Sequence, residues 1–294
     1  TVLNEEATFQ FTDDYTMYIP YVNDPVHDQF QISFENLYEH LPFSKLNKDT
    51  LAFAPILIEL PNNVKVGITE ADLEDYPGMF LKHGKLPNSL VGEFAAYPTE
   101  EKQGGHNNLQ AFVLKRANYL AKTNGRRNFP WRVLIVSEKD ADLLNNDMVY
   151  KLAAPSRIND VSWIQPGKVA WDWWNDWNIS GVDFRAGINT ETYKYYIDFA
   201  AQYKIENILL DEGWANSLDI MEIIPEIDLQ AIIDYATSKG VGVWLWGGWY
   251  PLDNKTDEAF STYSKMGVKG FKVDFMNRDD QKMVNFYYRL AQKA

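Results

Sequence analysis

Four short apolar stretches in the second half of the chain run into polar residues suited to acid, base or nucleophilic chemistry. VAWDWW leads into Asp172, Trp173, Trp174 and Asn175; NILLDEGW into Asp211, Glu212, Gly213 and Trp214; VGVWLWGGW into Gly247, Gly248 and Trp249; GFKVDFM into Asp274. Carboxyl groups gathered beside tryptophans suit cleavage of an acetal. One carboxylate attacks or polarises the anomeric carbon, a second carboxyl protonates the leaving oxygen, and indole faces hold the sugar ring. The plainer alternative is that Asp172, Asp211 and Asp274 cap the helices that follow them, since Asp is a favoured N-cap. Three aspartates at three strand ends, each near a tryptophan, favour the site over the caps.

Lys272 stands two residues before Asp274, so on a strand both side chains share one side. An inward Lys needs an anionic partner. It is either a counter-ion to Asp211 or Glu212 or a hydrogen-bond donor to sugar hydroxyls. Glu70 is a further carboxylate at the end of an apolar run, VKVGI, and the acids around it in ITEADLEDYPGM otherwise read as a solvated loop face.

The elements that must position these groups change character along the chain. Up to about residue 155, short alternating runs (FAPILIEL, VKVGITEA, LQAFVLKRA, WRVLIVSE) are separated by turn signals such as PNN, GG and NG, the pattern of an all-β sandwich. Beyond it, apolar runs alternate with amphipathic stretches: TETYKYYIDFAAQYK, DLQAIIDYATSKG, DEAFSTYSKMG and DDQKMVNFYYRLAQKA. Strand then helix, repeated, is the signature of βα units with a buried parallel sheet. Gly240 and Gly267 fall where C-cap glycines belong. The fold expected is therefore multidomain β plus α/β: residues 1–160 a β-sandwich, supersandwich-like and incomplete, and residues 161–294 the first four βα units of a (β/α)8 TIM barrel. A whole barrel takes about 250 residues, and only about 130 follow the sandwich. The sequence thus reads as an internal piece of a longer protein, lacking later barrel strands.

Composition closes several routes. With 28 basic and 41 acidic residues the net charge is -13, which repels phosphate backbones and anionic lipid heads. Neither nucleic acid nor a membrane is an expected partner. No run approaches the roughly 20 apolar residues of a membrane span, and no signal peptide pattern opens the chain. Cysteine is absent, which removes disulfides and thiolate chemistry. His27, His40, His83 and His106 lack zinc-site spacing. No GxSxG elbow, phosphate loop or dinucleotide fingerprint is present, and GGHNN, with Gly104 and Gly105, reads as a turn. The ten Trp and seventeen Tyr supply flat faces for sugar rings.

From roughly residue 9 onward the chain resembles glycoside hydrolase family 97, most specifically in ITEADLEDYPGM, PWRVLIVSE, YIDFAAQYKIENILLDEGW and GFKVDFM. The resemblance implies an N-terminal β-sandwich, a catalytic barrel and hydrolysis of α-glucosides or α-galactosides. Inverting members carry a Glu base after the third barrel strand and a Gly at the end of the fourth. Here the third position is Gly247 or Gly248 and the fourth is Asp274, the retaining pattern, in which Asp274 is the nucleophile of a double displacement. The acid/base Glu is then expected beyond Ala294, so the chain alone is expected to lack turnover. The resemblance also implies an active-site Ca2+ with Glu70 as its sandwich ligand and the other ligands outside the chain. Substrate contacts fall to Glu212, Lys272, Trp214, Trp173 and Asp172. The substrate implied is an oligosaccharide with a terminal α-galactoside; α-glucosidase action, or sugar binding without turnover, are the alternatives. Family members imply a periplasmic or otherwise exported location.

Overall fold

The computed structural model describes residues 1–22 and 28–294; His27 lies outside the described residues. The chain divides into two compact units. The first comprises Thr1–Lys102, Val113–Arg157 and Asn277–Tyr288, the second Gln103–Phe112, Ile158–Met276 and Arg289–Ala294.

The β-rich part contains β1 (Thr8–Gln10), β2 (Thr16–Ile19), β3 (Glu39–Pro42), β4 (Ala52–Phe53), β5 (Ile56–Glu59), β6 (Lys65–Ala71), β7 (Met79–His83), β8 (Ser89–Phe94), β9 (Pro98–Gly104), β10 (Gln110–Arg116) and β11 (Trp131–Ser137). Short helices α1 (Asp140–Leu144) and α2 (Met148–Leu152) follow. Two antiparallel sheets, β1-β8-β7-β4 and β11-β6-β5-β2-β3, share one apolar cluster. Met17, Ile56, Ile58 and Ile68 enter it from one sheet, and Met79, Leu81, Leu90 and Phe94 from the other. The alternation in ILIE explains the packing: Ile56 and Ile58 are buried while Leu57 and Glu59 point the other way, because successive side chains on a strand face opposite sides. Each such isoleucine contributes about 1.5–3 kcal/mol by leaving water.

The second unit runs β12 (Val169–Trp171), α3 (Thr190–Tyr203), β13 (Asn207–Leu210), the antiparallel ribbon β14 (Ala215–Asn216) and β15 (Asp219–Ile223), α4 (Leu229–Ser238), β16 (Gly242–Gly248), α5 (Trp249–Met266) and β17 (Gly270–Asp274). Helix α6 (Gln281–Lys293) follows. The sheet β12-β13-β16-β17 is parallel at every joint. Helix α3 starts where Asn189 Oδ1 accepts the Thr192 amide, and α4 where Asp228 Oδ1 accepts the Ala231 amide, both at 3.0 Å. Gly267 ends α5 at φ 109°, a conformation that costs glycine little. Helix α5 begins at Trp249, well before the periodic stretch that opens at Asp257. Pro251 sits in its first turn, where the missing N–H has no intrahelical partner to lose.

The two faces of the parallel sheet differ. Ile208, Leu210, Val243 and Leu245 belong to the apolar cluster formed with α3, α4 and α5, and Phe271 and Val273 pack on it. The alternate residues Trp171, Leu209, Trp244 and Lys272 line an open concavity on the other face. Strand parity therefore puts Asp274 on the side without helices. Among the described residues no helix is long and apolar enough to cross a membrane.

Candidate active site

Three aspartates terminate β12, β13 and β17, and each accepts the amide of the residue after it. The distances are 2.7 Å from Trp173 N to Asp172, 2.8 Å from Glu212 N to Asp211 and 2.8 Å from Phe275 N to Asp274. None of them caps a long helix: Asn189 and Asp228 cap α3 and α4, and α5 follows Gly248. The capping alternative is thereby set aside. Asp211 and Asp274, tied by one oxygen to their own strand ends, keep the other for the concave side.

The other oxygens of Asp211 and Asp274 meet at Lys272. Its Nζ lies 3.1 Å from Asp211 Oδ2 and 3.0 Å from Asp274 Oδ2, and 4.3 Å above the Trp171 ring. Trp171 Nε1 donates to Asp211 Oδ2 at 2.6 Å. Of the two roles open to Lys272, counter-ion is the one the geometry displays. Across the register, Lys272 pairs with Trp246 and Asp274 with Gly248, so the Trp246 indole reaches along the strand and donates to Asp274 Oδ2 at 3.1 Å.

Asp274 is the accessible member, its side chain 39% exposed against 5% for Asp211. Burial pulls its pKa upward, but the Phe275 amide, the Lys272 ammonium and the Trp246 N–H prevail and hold it below the ordinary aspartate value. It is ionised at neutral pH, as a nucleophile must be. Phe275 adopts φ 64°, a left-handed conformation that costs a non-glycine residue about 1–2 kcal/mol. The backbone thus turns sharply just past the carboxylate.

Two residues expected at the rim lie in the interior instead. Asp172 is 1% exposed; it accepts the Tyr193 hydroxyl at 2.7 Å and the Asp211 amide at 3.2 Å, and burial lifts its pKa to about 6. Trp214, also 1% exposed, donates to the Trp246 carbonyl at 2.9 Å and meets Tyr263 edge-on at 5.3 Å. Both hold strand ends together, although Trp214 also lines the small pocket that Glu212 borders. Trp173 is half exposed and stacks on Trp171 at 5.2 Å, with Trp174 beside them at 5.8 Å from Trp171.

Glu212 borders a small pocket together with Gly213, Trp246, Gly248 and Leu109. Its Oε1 accepts Asn107 Nδ2 at 2.5 Å, and His106 Nε2 stands 3.4 Å from its Oε2. The sequence singled out neither His106 nor Asn107. Their signal was only GGHNN, whose glycine and asparagines announce left-handed turn geometry but not where the turn docks.

Glu70 belongs to the first unit and is largely buried there, its side chain 13% exposed. Its two oxygens accept the Met79 amide at 3.0 Å, and Arg132 pairs with it at 2.5 Å while also gripping Glu5. Burial lifts its pKa to about 7 against the pull of Arg132. Calcium takes six to eight oxygens. Among the described residues no group of three or more His, Cys, Asp or Glu is placed to hold a metal, and the expected ligand already faces an arginine. The residues present do not by themselves fit a calcium ion.

The fold and site define an α/β unit with an acidic, tryptophan-rich rim, joined in one chain to a β-rich unit. The family model described as Glycosyl-hydrolase 97 N-terminal matches residues 1–155, and that of Glycoside hydrolase 97 matches residues 173–294. The chain belongs to glycoside hydrolase family 97. It is 49% identical over 297 residues to a retaining alpha-galactosidase of Bacteroides thetaiotaomicron, covering 99% of this chain and 45% of that protein. It is 30% identical over 177 residues to a probable retaining alpha-galactosidase of Streptomyces bingchenggensis, covering 56% of this chain and 26% of that protein. Among solved structures it resembles a family 97 enzyme of Pseudoalteromonas sp. strain K8 in complex with acarbose, with a TM-score of 0.77 at 23% identity over 97% of this chain and 45% of that one. This last likeness concerns the fold. The chain spans less than half the length of these relatives.

Proposed function

We propose that the protein carrying this chain is a retaining glycosidase that removes terminal α-linked hexosides, α-galactosides foremost, by double displacement with Asp274 as nucleophile. The observation that carries this is the placement of Asp274: an ionised, accessible carboxylate at the end of a parallel strand, on the face away from the helices. Attack by Oδ1, which among the described residues accepts only the Phe275 amide, on the anomeric carbon breaks the glycosidic bond and gives a glycosyl ester. The departing oxygen takes a proton from the second carboxyl. Lys272 and the Trp246 N–H, both on Oδ2, hold that carboxylate as an anion before attack and stabilise it as a leaving group afterwards. The second carboxyl of a retaining site lies about 5–5.5 Å away; we assign it to a strand beyond Ala294. In this reading the first unit is the sandwich, and β12, β13, β16 and β17 are half of the barrel wall.

Glu212 and Trp173 are read as sugar contacts. A calcium role for Glu70 rests on the resemblance alone and would require Arg132 to yield a carboxylate oxygen. The galactoside preference is supported by what the Bacteroides relative is called.

The test uses the full-length protein with nitrophenyl α-galactoside and α-glucoside, following the anomer formed first by NMR. Retention, with Asp274→Asn lowering kcat by at least about 10³-fold while sugar affinity persists, is expected. Inversion, or turnover untouched by the substitution, would sink the proposal; a faster glucoside would overturn only the substrate preference.

A further inference from the structure

Glu212 is held by a turn 105 positions earlier in the chain. The tip of the β9–β10 hairpin, Gln103–Phe112, is part of the second unit. Gly105, Asn107 and Asn108 take φ values of 74°, 48° and 61°, in the region that glycine and asparagine tolerate best. This coiling presents the Asn107 amide and the His106 ring together. The tip is fastened on both sides of them. Leu109 is buried against Gly248, where even a Cβ would lie 2.7 Å from its side chain, and Gln110 Nε2 donates to the Phe275 carbonyl at 3.2 Å.

The His106 ring stands 5.3 Å from the Phe275 ring, which in turn lies 5.7 Å from Trp246, the indole that holds Asp274. His106 is thus linked to Asp274 through Phe275 and Trp246, and Trp246 lines the small pocket that Glu212 borders. Asn107 donates through its nitrogen to Glu212 Oε1 rather than Oε2, and the same nitrogen lies 3.2 Å from His106 Nε2, which accepts from it. Oε2 keeps its lone pairs, with an imidazole nitrogen 3.4 Å away and the Glu212 side chain 21% exposed. Glu212 Oε2 offers an acceptor to one hydroxyl group, and the exposed His106 ring beside it offers a polar flank.

We propose that Asn107 is a positioning residue for Glu212, and that His106 with Glu212 Oε2 recognises one ring hydroxyl of the terminal hexose. The hairpin turn then determines sugar choice together with the strand ends. This rests on the glycosidase reading of the same site. A site built to hydrogen-bond a hydroxyl discriminates against an analogue that misplaces it, because the acceptor is then covered by the sugar and left unsatisfied.

The test is calorimetric titration of galactose and of glucose into the full-length wild type, His106→Ala and Asn107→Asp, with kcat and KM for both nitrophenyl glycosides in parallel. Asn107→Asp preserves shape and turn preference but sets a second carboxylate against Glu212. At about pH 7 it is expected to weaken binding of the favoured hexose and raise KM by about 10-fold or more, with kcat changed far less. His106→Ala is expected to shrink the galactose-to-glucose affinity ratio by about 10-fold. Wild-type turnover with both variants unchanged in affinity overturns the clamp and leaves the glycosidase reading intact. Hexose binding without turnover sinks the glycosidase reading, while the titrations still decide the clamp. No hexose binding by the wild type overturns the clamp as well.

Discussion

A single ammonium group, Lys272 Nζ, bridges the carboxylates of Asp211 and Asp274 at 3.1 and 3.0 Å. Two anions at the ends of β13 and β17, with only β16 between them, would otherwise repel each other in a partly dehydrated concavity. The cation sets their spacing and keeps the accessible one ionised.

Lys272→Met tests this directly. Without the ammonium, burial dominates and the Asp274 pKa rises, so the acidic limb of the pH–rate profile of the full-length protein moves to higher pH. A fall in kcat of about 10²-fold is expected at neutral pH. Since Lys272 is partly exposed, the stability cost is smaller, about 1–2 kcal/mol by urea unfolding. An unmoved limb would refute the pairing.

Trp214 distinguishes core from rim. Trp214→Phe removes the donor to the Trp246 carbonyl and part of the volume packed on Tyr263. The expected loss is about 1–3 kcal/mol of stability, with KM for hexosides within about 2-fold. A KM effect without a stability effect would return Trp214 to the sugar site.

Asp172 gives the fold a pH dependence. Burial raises its pKa to about 6 from the ordinary 3.8, so the folded state holds the proton more tightly than the unfolded chain. The resulting stabilisation is complete below about pH 3.8 and is lost as pH rises through about 6. Tyr193 donates to this carboxylate and pulls its pKa down. Tyr193→Phe should therefore extend the declining range to higher pH and lower the melting temperature at neutral pH, as a series of thermal scans would record.

Calcium offers a fourth check. With Glu70 paired to Arg132 and the Met79 amide, millimolar Ca2+ should leave the melting temperature of this chain unchanged and give no calorimetric binding signal. Arg132→Met should cost about 3–5 kcal/mol, because Glu70 and Glu5 lose their shared cation. A calcium-dependent rise in melting temperature would show that Glu70 leaves Arg132 for the metal.

Much of the scaffold could be read in advance. ILIE and KVGITEA announce strands through period-two burial, and the run ending at Asp211 announces a buried parallel strand because both its faces are apolar. Lys272 and Asp274 share a side by parity alone. What parity cannot supply is depth. Asp172 and Trp214 stand at strand ends just as Asp274 does, yet the Tyr193 hydroxyl and the Trp246 carbonyl draw them into the interior. Those contacts come from residues 21 and 32 positions away. The docking of His106 and Asn107 against Glu212 is longer in range still, and no local pattern encodes it.

That long-range docking bears on how such proteins can be recombined. A gene cut at the junction after the β-rich stretch would separate Glu212 from Asn107, although each half would still carry its own strands. Chimeras built from two relatives would inherit their sugar preference from both parents at once, and libraries that randomise only the second half would leave one determinant untouched.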